Sequence, residues 1–257
     1  MKALFLAFLM TASVPAFAQL STPNAAGVSA GHDIFNFKDV AAATTFWTAL
    51  GGEPAEFGPL KLTKFPGMLF YYPRPGNPTG GTEGSSIDYI GFKVKSLKDN
   101  LAKLEAAGGK AIAGATATRA FVMGPDDVKI RLTEDRALGT PVAADMINMV
   151  VSDPAAAQAW YEKNFGAKLV KRGGETVADI PGENILFTQA KGPVAPTKGR
   201  AFDRIGLEVR NVDETCKAVG GSAVNRADKS RMDLAVCTLT DPWGTFIEVS
   251  QGLAAVK

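Results

Sequence analysis

Short segments of alternating apolar and polar residues, each followed by a segment of helical periodicity, run along most of this 257-residue chain. The alternation predicts strands in which successive side chains point to opposite faces. In the first strand the two faces carry Phe35 and Phe37 on one side and His32, Ile34 and Asn36 on the other. The following segment begins at an aspartate and ends at a glycine, which predicts a capped helix.

The same succession of segments occurs a second time in the C-terminal half. The segment FKDVAAATTFWTALGG has its counterpart in VSDPAAAQAWYEKNFG, DYIGFKV in DRIGLEV, and KIRL in FIEV. Matches at nearly one spacing indicate an internal repeat. We therefore predict an N-terminal segment at 19–27, one domain at 28–136, a linker at 137–143, a second domain at 144–252 and a tail at 253–257. Each domain consists of two similar strand–helix–strand units.

These segments resemble the vicinal oxygen chelate superfamily, which includes glyoxalase I, bleomycin-resistance proteins and extradiol dioxygenases. The similarity rests on the strand–Asp–aromatic pair–Gly pattern, the x-I-G-[FL]-x-V strand and the segment DPWGTFIE. It implies an α+β fold of four βαβββ modules. The modules pair into two domains, each a curved mixed β-sheet cup with helices on the outside and a site on its concave face.

In that superfamily two first strands and one last strand of a cup supply the ligands of a divalent metal. The matching positions are His32, Tyr89 and Arg131 in the first domain, and Met146, Arg204 and Glu248 in the second. Each expected cup thus keeps one residue of ligand type, His32 or Glu248. Because arginine is always charged and has no lone pair to offer, we predict no standard metal centre and no cofactor. A non-standard site for iron, manganese, zinc or nickel that includes His32 and Tyr89 is the alternative.

The first cup is expected to be basic. Its concave face is predicted to carry His32, Asn36, Tyr89, Lys93, Lys129 and Arg131. Such a face suits a small anion, since Arg131 can clamp a carboxylate or phosphate while Tyr89 and Asn36 orient it. His32 could carry a proton. The alternative is that His32 is a hydrogen-bonded strand residue and the cations reach solvent.

The second cup is expected to be more apolar, with Arg204 and Glu248 forming a buried ion pair in place of a metal. The remaining candidate ligand-binding residues on this face are Asn148, Glu208 and Phe246.

The composition and the N-terminal segment restrict the expected partners, metal sites and cellular location. The formal net charge of +2 gives no excess of positive charge for binding the phosphate backbone of nucleic acid. The single histidine excludes metal sites that need several imidazoles. Lys2, an apolar run and Ala16-Phe17-Ala18 predict a signal peptide at 1–18 and a periplasmic or secreted protein without a membrane span. In an oxidising compartment Cys216 and Cys237 could form a disulfide or stay two buried thiols.

Three functions follow as hypotheses. The first is an exported protein that binds a small anionic metabolite without a standard metal centre. The second is a glyoxalase-like lyase or isomerase, or a dioxygenase-like enzyme, that uses His32 as proton carrier with Tyr89, Lys93 or Arg131 stabilising negative charge. The third is a non-catalytic exported interaction protein. Two domains in one chain are compatible with a monomer or a homodimer.

Overall fold

The computed structural model describes residues 20–230 and 232–256. Within them the order of one strand, one helix and three strands occurs four times. Module 1 contains β1 (Val28–Phe35), α1 (Val40–Leu50), β2 (Glu53–Phe57), β3 (Leu60–Phe65) and β4 (Met68–Tyr71). Module 2 contains β5 (Ile87–Val94), α2 (Leu97–Ala106), β6 (Lys110–Ile112), β7 (Arg119–Met123) and β8 (Lys129–Glu134).

The second half repeats this order. Module 3 contains β9 (Val142–Val151), α3 (Pro154–Phe165), β10 (Lys168–Arg172), β11 (Glu175–Ile180) and β12 (Glu183–Gln189). Module 4 contains β13 (Phe202–Val209), α4 (Val212–Ala218), β14 (Asn225–Arg226), β15 (Ala235–Thr240) and β16 (Phe246–Gln251). Single 3-10 turns lie at Pro125–Asp127 and Leu253–Ala255. The predicted signal peptide lies outside the described residues.

The strands form two mixed eight-stranded sheets, each built from one module of each half. One sheet has the order β14-β15-β16-β13-β1-β4-β3-β2, and the other β10-β11-β12-β9-β5-β8-β7-β6. Modules 1 and 4 therefore share a sheet through the antiparallel pair β1–β13, and modules 2 and 3 share the other through β5–β9. We call the helix-free faces of these sheets the terminal cup and the central cup, respectively.

This pairing corrects the expected grouping of residues into cups. His32 was expected beside Tyr89 and Arg131 because they are neighbours in the same sequence repeat. Instead, β1 brings His32 to the terminal cup, whereas β5 and β8 bring Tyr89 and Arg131 to the central cup. The physical reason is that strand edges offer the same backbone donors and acceptors in every module. A module can therefore complete its sheet with more than one of the other modules.

Two connections cross between the sheets. Residues 72–86 lead from β4 to β5, and residues 190–201 lead back from β12 to β13. They are hydrogen-bonded to each other, for example from Thr79 N to Gly199 O at 2.9 Å and from Ser86 N to Ala195 O at 2.9 Å. These proline- and glycine-rich segments therefore form a paired crossover between the two sheets.

The helix-facing sides of both sheets pack into one continuous core. Trp47 of α1 is fully buried and lies edge-on to Phe70 of β4, with ring centroids 4.9 Å apart. Phe65 of β3 in turn contacts Phe92 of β5 in the other sheet, at 5.1 Å between centroids. The apolar faces predicted from strand alternation thus point inward, and the polar faces form the two cups.

The helix boundaries follow the predicted capping residues. Asp39 accepts a hydrogen bond from Ala42 N at the start of α1, and Gly51 ends it in the left-handed conformation at φ 117°. Asp153 and Gly166 do the same for α3. A glycine is favoured at these ends because side chains disfavour positive φ. In the described part of the chain no helix combines the length and apolar character that crossing a bilayer requires.

Cys216 of α4 and Cys237 of β15 form a disulfide with a Cα–Cα distance of 6.3 Å. Both residues are buried. The bond ties the helix of module 4 to the sheet of the terminal cup.

Candidate functional site

Arg131 lies at the centre of the central cup and is almost completely buried. Its Nη1 donates to the Tyr89 hydroxyl at 2.9 Å and to both carboxylate oxygens of Glu175 at 3.1 and 3.2 Å. Its Nη2 lies 3.6 Å from Asp145 Oδ2 and donates to the sulfur of Met146. These contacts hold the guanidinium in one position, because each partner constrains a different side of a planar, rigid group.

Tyr89 is a neutral hydrogen-bond donor at physiological pH. Burial raises its pKa to about 12, although the positive charge of Arg131 opposes the shift. Since its oxygen accepts from Arg131, its own O–H proton is free to be donated elsewhere. The ring of Phe121 packs edge-on against Tyr89, with centroids 5.5 Å apart, and limits its rotation.

A pocket of about 430 Å³ opens beside Arg131. Its charged lining residues are the four cations Lys93, Arg119, Arg131 and Arg172 and the two carboxylates Asp145 and Glu175. Three threonine hydroxyls, at Thr116, Thr118 and Thr133, complete the polar lining. The excess of cations over carboxylates makes this pocket positive in a chain whose overall charge is nearly balanced.

Arg119 and Thr133 hold unused hydrogen-bonding capacity in this pocket. The Nε atoms of Arg119 and Arg131 and the hydroxyl of Thr133 are buried without a hydrogen-bond partner. Among the described residues, no carboxylate lies within ion-pair distance of Arg119, whereas Lys93 lies 3.8 Å from Asp145. Buried polar groups are normally satisfied, so unpartnered donors beside a pocket indicate a missing acceptor such as a ligand or water.

The terminal cup has a different polar centre. His32 Nε2 lies 3.0 Å from Glu248 Oε1, and Arg204 Nη1 donates to Glu248 Oε2 at 3.0 Å. Burial alone would raise the pKa of Glu248, but the hydrogen bond and charge of His32 and the guanidinium of Arg204 lower it below its ordinary value. Glu248 is therefore an ionised carboxylate with both oxygens engaged.

Gly206 allows His32 to adopt this position. β13 runs between β1 and β16, and its Gly206 is paired with His32 on one side and Glu248 on the other. A Cβ atom at position 206 would overlap the Cε1–Nδ1 edge of the imidazole. That edge therefore lies against the backbone, and the Nδ1 atom is buried without a partner. Nδ1 thus faces the backbone of β13 while Nε2 is engaged by Glu248, and this arrangement disfavours His32 as a proton carrier.

Apolar residues and the C-terminal segment cover the rest of the terminal cup. Glu208 accepts hydrogen bonds from Gly252 N at 2.7 Å, Ala254 N at 3.3 Å and the Ser250 hydroxyl at 2.7 Å. Glu208 thus anchors the 3-10 turn whose Leu253 packs onto the sheet. The remaining cavity has a volume of about 160 Å³ and touches His32, Tyr71 and Glu248. Its other lining residues are Leu60, Leu62, Leu69, Met232, Leu234, Val236 and Leu253.

Neither cup matches the ligand set of a standard divalent metal centre. Such a centre needs several side chains with lone pairs free for the ion. In the terminal cup both oxygens of Glu248 accept hydrogen bonds already, and Arg204 brings a permanent positive charge to a ligand position. In the central cup the corresponding residues are Tyr89, Arg131 and Met146. Within the described residues no three His, Cys, Asp or Glu side chains are grouped closely enough to hold a metal.

The other predicted ligand-binding residues serve the framework. Asn36 follows the end of β1 and donates to Gly199 O at 3.4 Å in the crossover. Lys129 is held by Asp88 and Glu83, both at 3.1 Å, and does not line the central pocket. Asn148 donates to Leu186 O and to the Thr188 hydroxyl, both at 3.1 Å. Phe246 lies beneath the guanidinium of Arg204, at 4.4 Å.

Sequence reasoning missed Arg119, Asp145, Arg172 and Glu175, which line the central pocket. Arg119 could have been found, because it lies two residues before Phe121 in β7 and therefore on the same face, opposite Arg131 and Thr133 of β8. Glu175 follows the turn at Gly173-Gly174, and its position in the cup depends on which module shares the sheet. No pattern in its own segment carries that information.

The comparisons with known proteins agree with this architecture. The model of the Glyoxalase/Bleomycin resistance protein/Dioxygenase superfamily matches residues 143–249. The sequence of the second repeat is therefore similar to this superfamily. The match covers module 3 and most of module 4, which lie in different sheets.

Solved structures show a similar fold over most of the chain. Glyoxalase I from Zea mays is similar with a TM-score of 0.65 and 15% identity, covering 88% of this chain and 93% of that one. A candidate dioxygenase from Bacillus subtilis is similar with a TM-score of 0.61 and 12% identity, covering 93% and 88%. No curated protein matches the sequence. The predicted α+β fold of four modules and two sheets is confirmed, and at these identities the likeness concerns the fold alone.

Proposed function

We propose that this protein is an exported member of the superfamily that binds a small anionic metabolite in the central cup without a divalent metal. One observation carries the proposal. Arg119 lines a positive pocket, has no carboxylate partner among the described residues and retains a buried, unpartnered Nε. An anion would supply the missing acceptor and balance the charge.

The surrounding residues suggest how such a ligand is held. Arg131 is fixed by Glu175 and Tyr89 and provides positive charge that costs no reorganisation on binding. Thr133 lines the pocket and can donate an O–H hydrogen bond, and Lys93 adds a partly exposed ammonium group. Preorganised donors around a partly enclosed volume are typical of small-molecule sites.

Calorimetric titration of the purified protein tests this proposal. The probes are inorganic phosphate and short mono- and dicarboxylates, each compared with its neutral amide where one exists. We expect at least one anion to bind once per chain, and its neutral amide not to bind. Arg119→Gln should weaken binding by about 10-fold or more, the usual effect of losing a charged hydrogen bond.

Arg136→Gln is the matched control, because it removes the same charge from a side chain that is 87% exposed and paired with Glu134. Equal affinities for wild type and Arg119→Gln would contradict the proposed site. Equal affinities for the anion and its neutral amide would contradict the proposed ligand class.

Export is the second part of the proposal. The N-terminal signal pattern and the Cys216–Cys237 disulfide support it, since disulfides persist in oxidising compartments. Mass spectrometry of the protein from a periplasmic or secreted fraction should find Gln19 as the first residue. A cytosolic protein that retains Met1 would contradict this part alone.

A further inference from the structure

In the terminal cup, three hydrogen-bonded side chains lie at the positions where the superfamily has its metal ligands. Glu248 accepts from His32 through one oxygen and from Arg204 through the other, each at 3.0 Å. The three side chains come from the adjacent strands β1, β13 and β16. Two of them, His32 and Glu248, are of metal-ligand type and already face each other.

Arg204 is held firmly in this position. Its Nε donates to Asp203 Oδ1 at 2.6 Å, and its guanidinium lies 4.4 Å from the ring centroid of Phe246. Its side chain is 24% exposed, so the group is only partly open to solvent. A planar cation fixed by a carboxylate on each side and an aromatic ring below does not move aside readily.

We infer that Arg204 is the residue that keeps divalent metal out of the terminal cup, by acting as a built-in cation for Glu248. The guanidinium neutralises the carboxylate and occupies the lone pairs that an ion would need. It also repels a second positive charge at close range. The inference concerns the terminal cup and does not depend on the anion site in the central cup.

This inference predicts that one substitution creates a metal site. Arg204→His removes the permanent charge and adds an imidazole, so that two histidines and one glutamate face one another on adjacent strands. Two histidines and a carboxylate are a common ligand set for divalent transition metals. Co²⁺ is the probe, because its visible absorption reports coordination directly.

Wild type should show no saturable Co²⁺ binding. Arg204→His should bind one Co²⁺ per chain with a visible absorption band, at Co²⁺ concentrations at least about 100-fold lower than the highest at which wild type shows no binding. Arg204→Gln is the matched control, since it removes the charge without adding a strong ligand and should bind weakly. Adding His32→Ala to Arg204→His should abolish the band. Circular dichroism and thermal melting establish that each variant is folded.

Two results would overturn the inference. A folded Arg204→His protein that does not bind Co²⁺ would show that Arg204 is not what excludes the ion. One Co²⁺ bound by the wild type, and lost on His32→Ala, would show that His32 and Glu248 hold a metal despite Arg204. The wild-type titration keeps the inference testable even where the Arg204→His protein fails to fold.

Discussion

The two cups have the same strand topology but opposite chemistry. In the central cup, Arg131 is surrounded by carboxylates, and a further cation, Arg119, lines an open pocket of about 430 Å³. In the terminal cup, Glu248 accepts hydrogen bonds from both Arg204 and His32, and the C-terminal segment covers the sheet. The difference shows that a duplicated fold can keep one cup open while the other becomes part of the packed interior.

The largest expected difference comes from removing the central carboxylate of each cup. Glu248→Ala leaves Arg204 and His32 without their acceptor and should reduce the free energy of unfolding by about 3 kcal/mol. Glu175→Ala should reduce the free energy of unfolding by about 1 kcal/mol. Glu175 is 30% exposed, and without it Arg131 still contacts the Tyr89 hydroxyl and the Asp145 carboxylate. Urea unfolding at pH 7 measures both.

The pH dependence of the Glu248→Ala effect provides a control. Because the folded state lowers the pKa of Glu248, the ionised carboxylate contributes stability above its ordinary pKa of 4.5. That contribution is lost as the pH falls through the lowered value, so wild type and variant should converge in acid. Equal losses for Glu248→Ala and Glu175→Ala at pH 7 would contradict the distinction between the cups.

The disulfide gives the terminal cup a second constraint. Cys216 and Cys237 are 21 residues apart, and closing a loop of that size stabilises a fold by about 3 kcal/mol. Cys216→Ser combined with Cys237→Ser should lower the melting temperature, and reduced wild type should match the variant. Anion binding in the central cup should be unchanged in the folded variant. A melting temperature that does not change would argue against the bond.

Two glycines at matching positions give a smaller contrast. Gly206→Ala places a methyl group on the ring of His32 and should reduce the free energy of unfolding by about 2 kcal/mol. Gly91→Ala in the central cup brings its methyl group to 3.0 Å from Met146 Cγ and 3.2 Å from the Met146 backbone oxygen, a milder crowding that should cost about 1 kcal/mol. Thermal unfolding of both variants tests this order, and a reversed order would contradict it.

A pH-dependent effect is expected at Asp33, whose face of β1 points away from the terminal cup. Burial raises its pKa well above the ordinary value of 3.8, and its Oδ1 has no hydrogen-bond partner. The folded state therefore binds this proton more tightly than the unfolded state, and stability falls as the pH rises from 3.8 through the raised pKa.

Asp33→Asn removes this penalty and should stabilise the protein at pH 8, with the gain vanishing near pH 4. The surface variant Asp179→Asn, which loses only a pair with Arg172, is the control. Measuring the free energy of unfolding of both variants and wild type at pH 8 and pH 4 tests this prediction. A gain that is independent of pH would mean that the titration of Asp33 is not its cause.

Much of the fold could be predicted from the pattern of residues. Asp39 and Asp153 begin helices, and Gly51 and Gly166 end helices, because capping and left-handed backbone are local properties. The alternation in β5 and β13 correctly separated core residues from cup residues, since side chains in a strand alternate regardless of its partner. His32 and Glu248 were recognised as residues of metal-ligand type through the resemblance to the superfamily.

The composition of each cup could not be predicted in this way. His32 and Glu248 were expected in different cups, and the structure places them 3.0 Å apart. The long crossover segments contained a hint, because residues 72–86 and 190–201 are longer than a connection within one module requires. Arg119 and Glu175 meet Arg131 only because modules 2 and 3 share a sheet.

The amino-acid sequence by itself determined the internal repeat, the order of strands and helices, the helix ends and the face on which each side chain lies. Only the tertiary structure decided which modules share a sheet and therefore which charged residues face one another. The physical reason is that strands pair through backbone groups that are alike in every module. Modules with equivalent apolar faces can pair in more than one order, and the packing of the whole chain selects one of them.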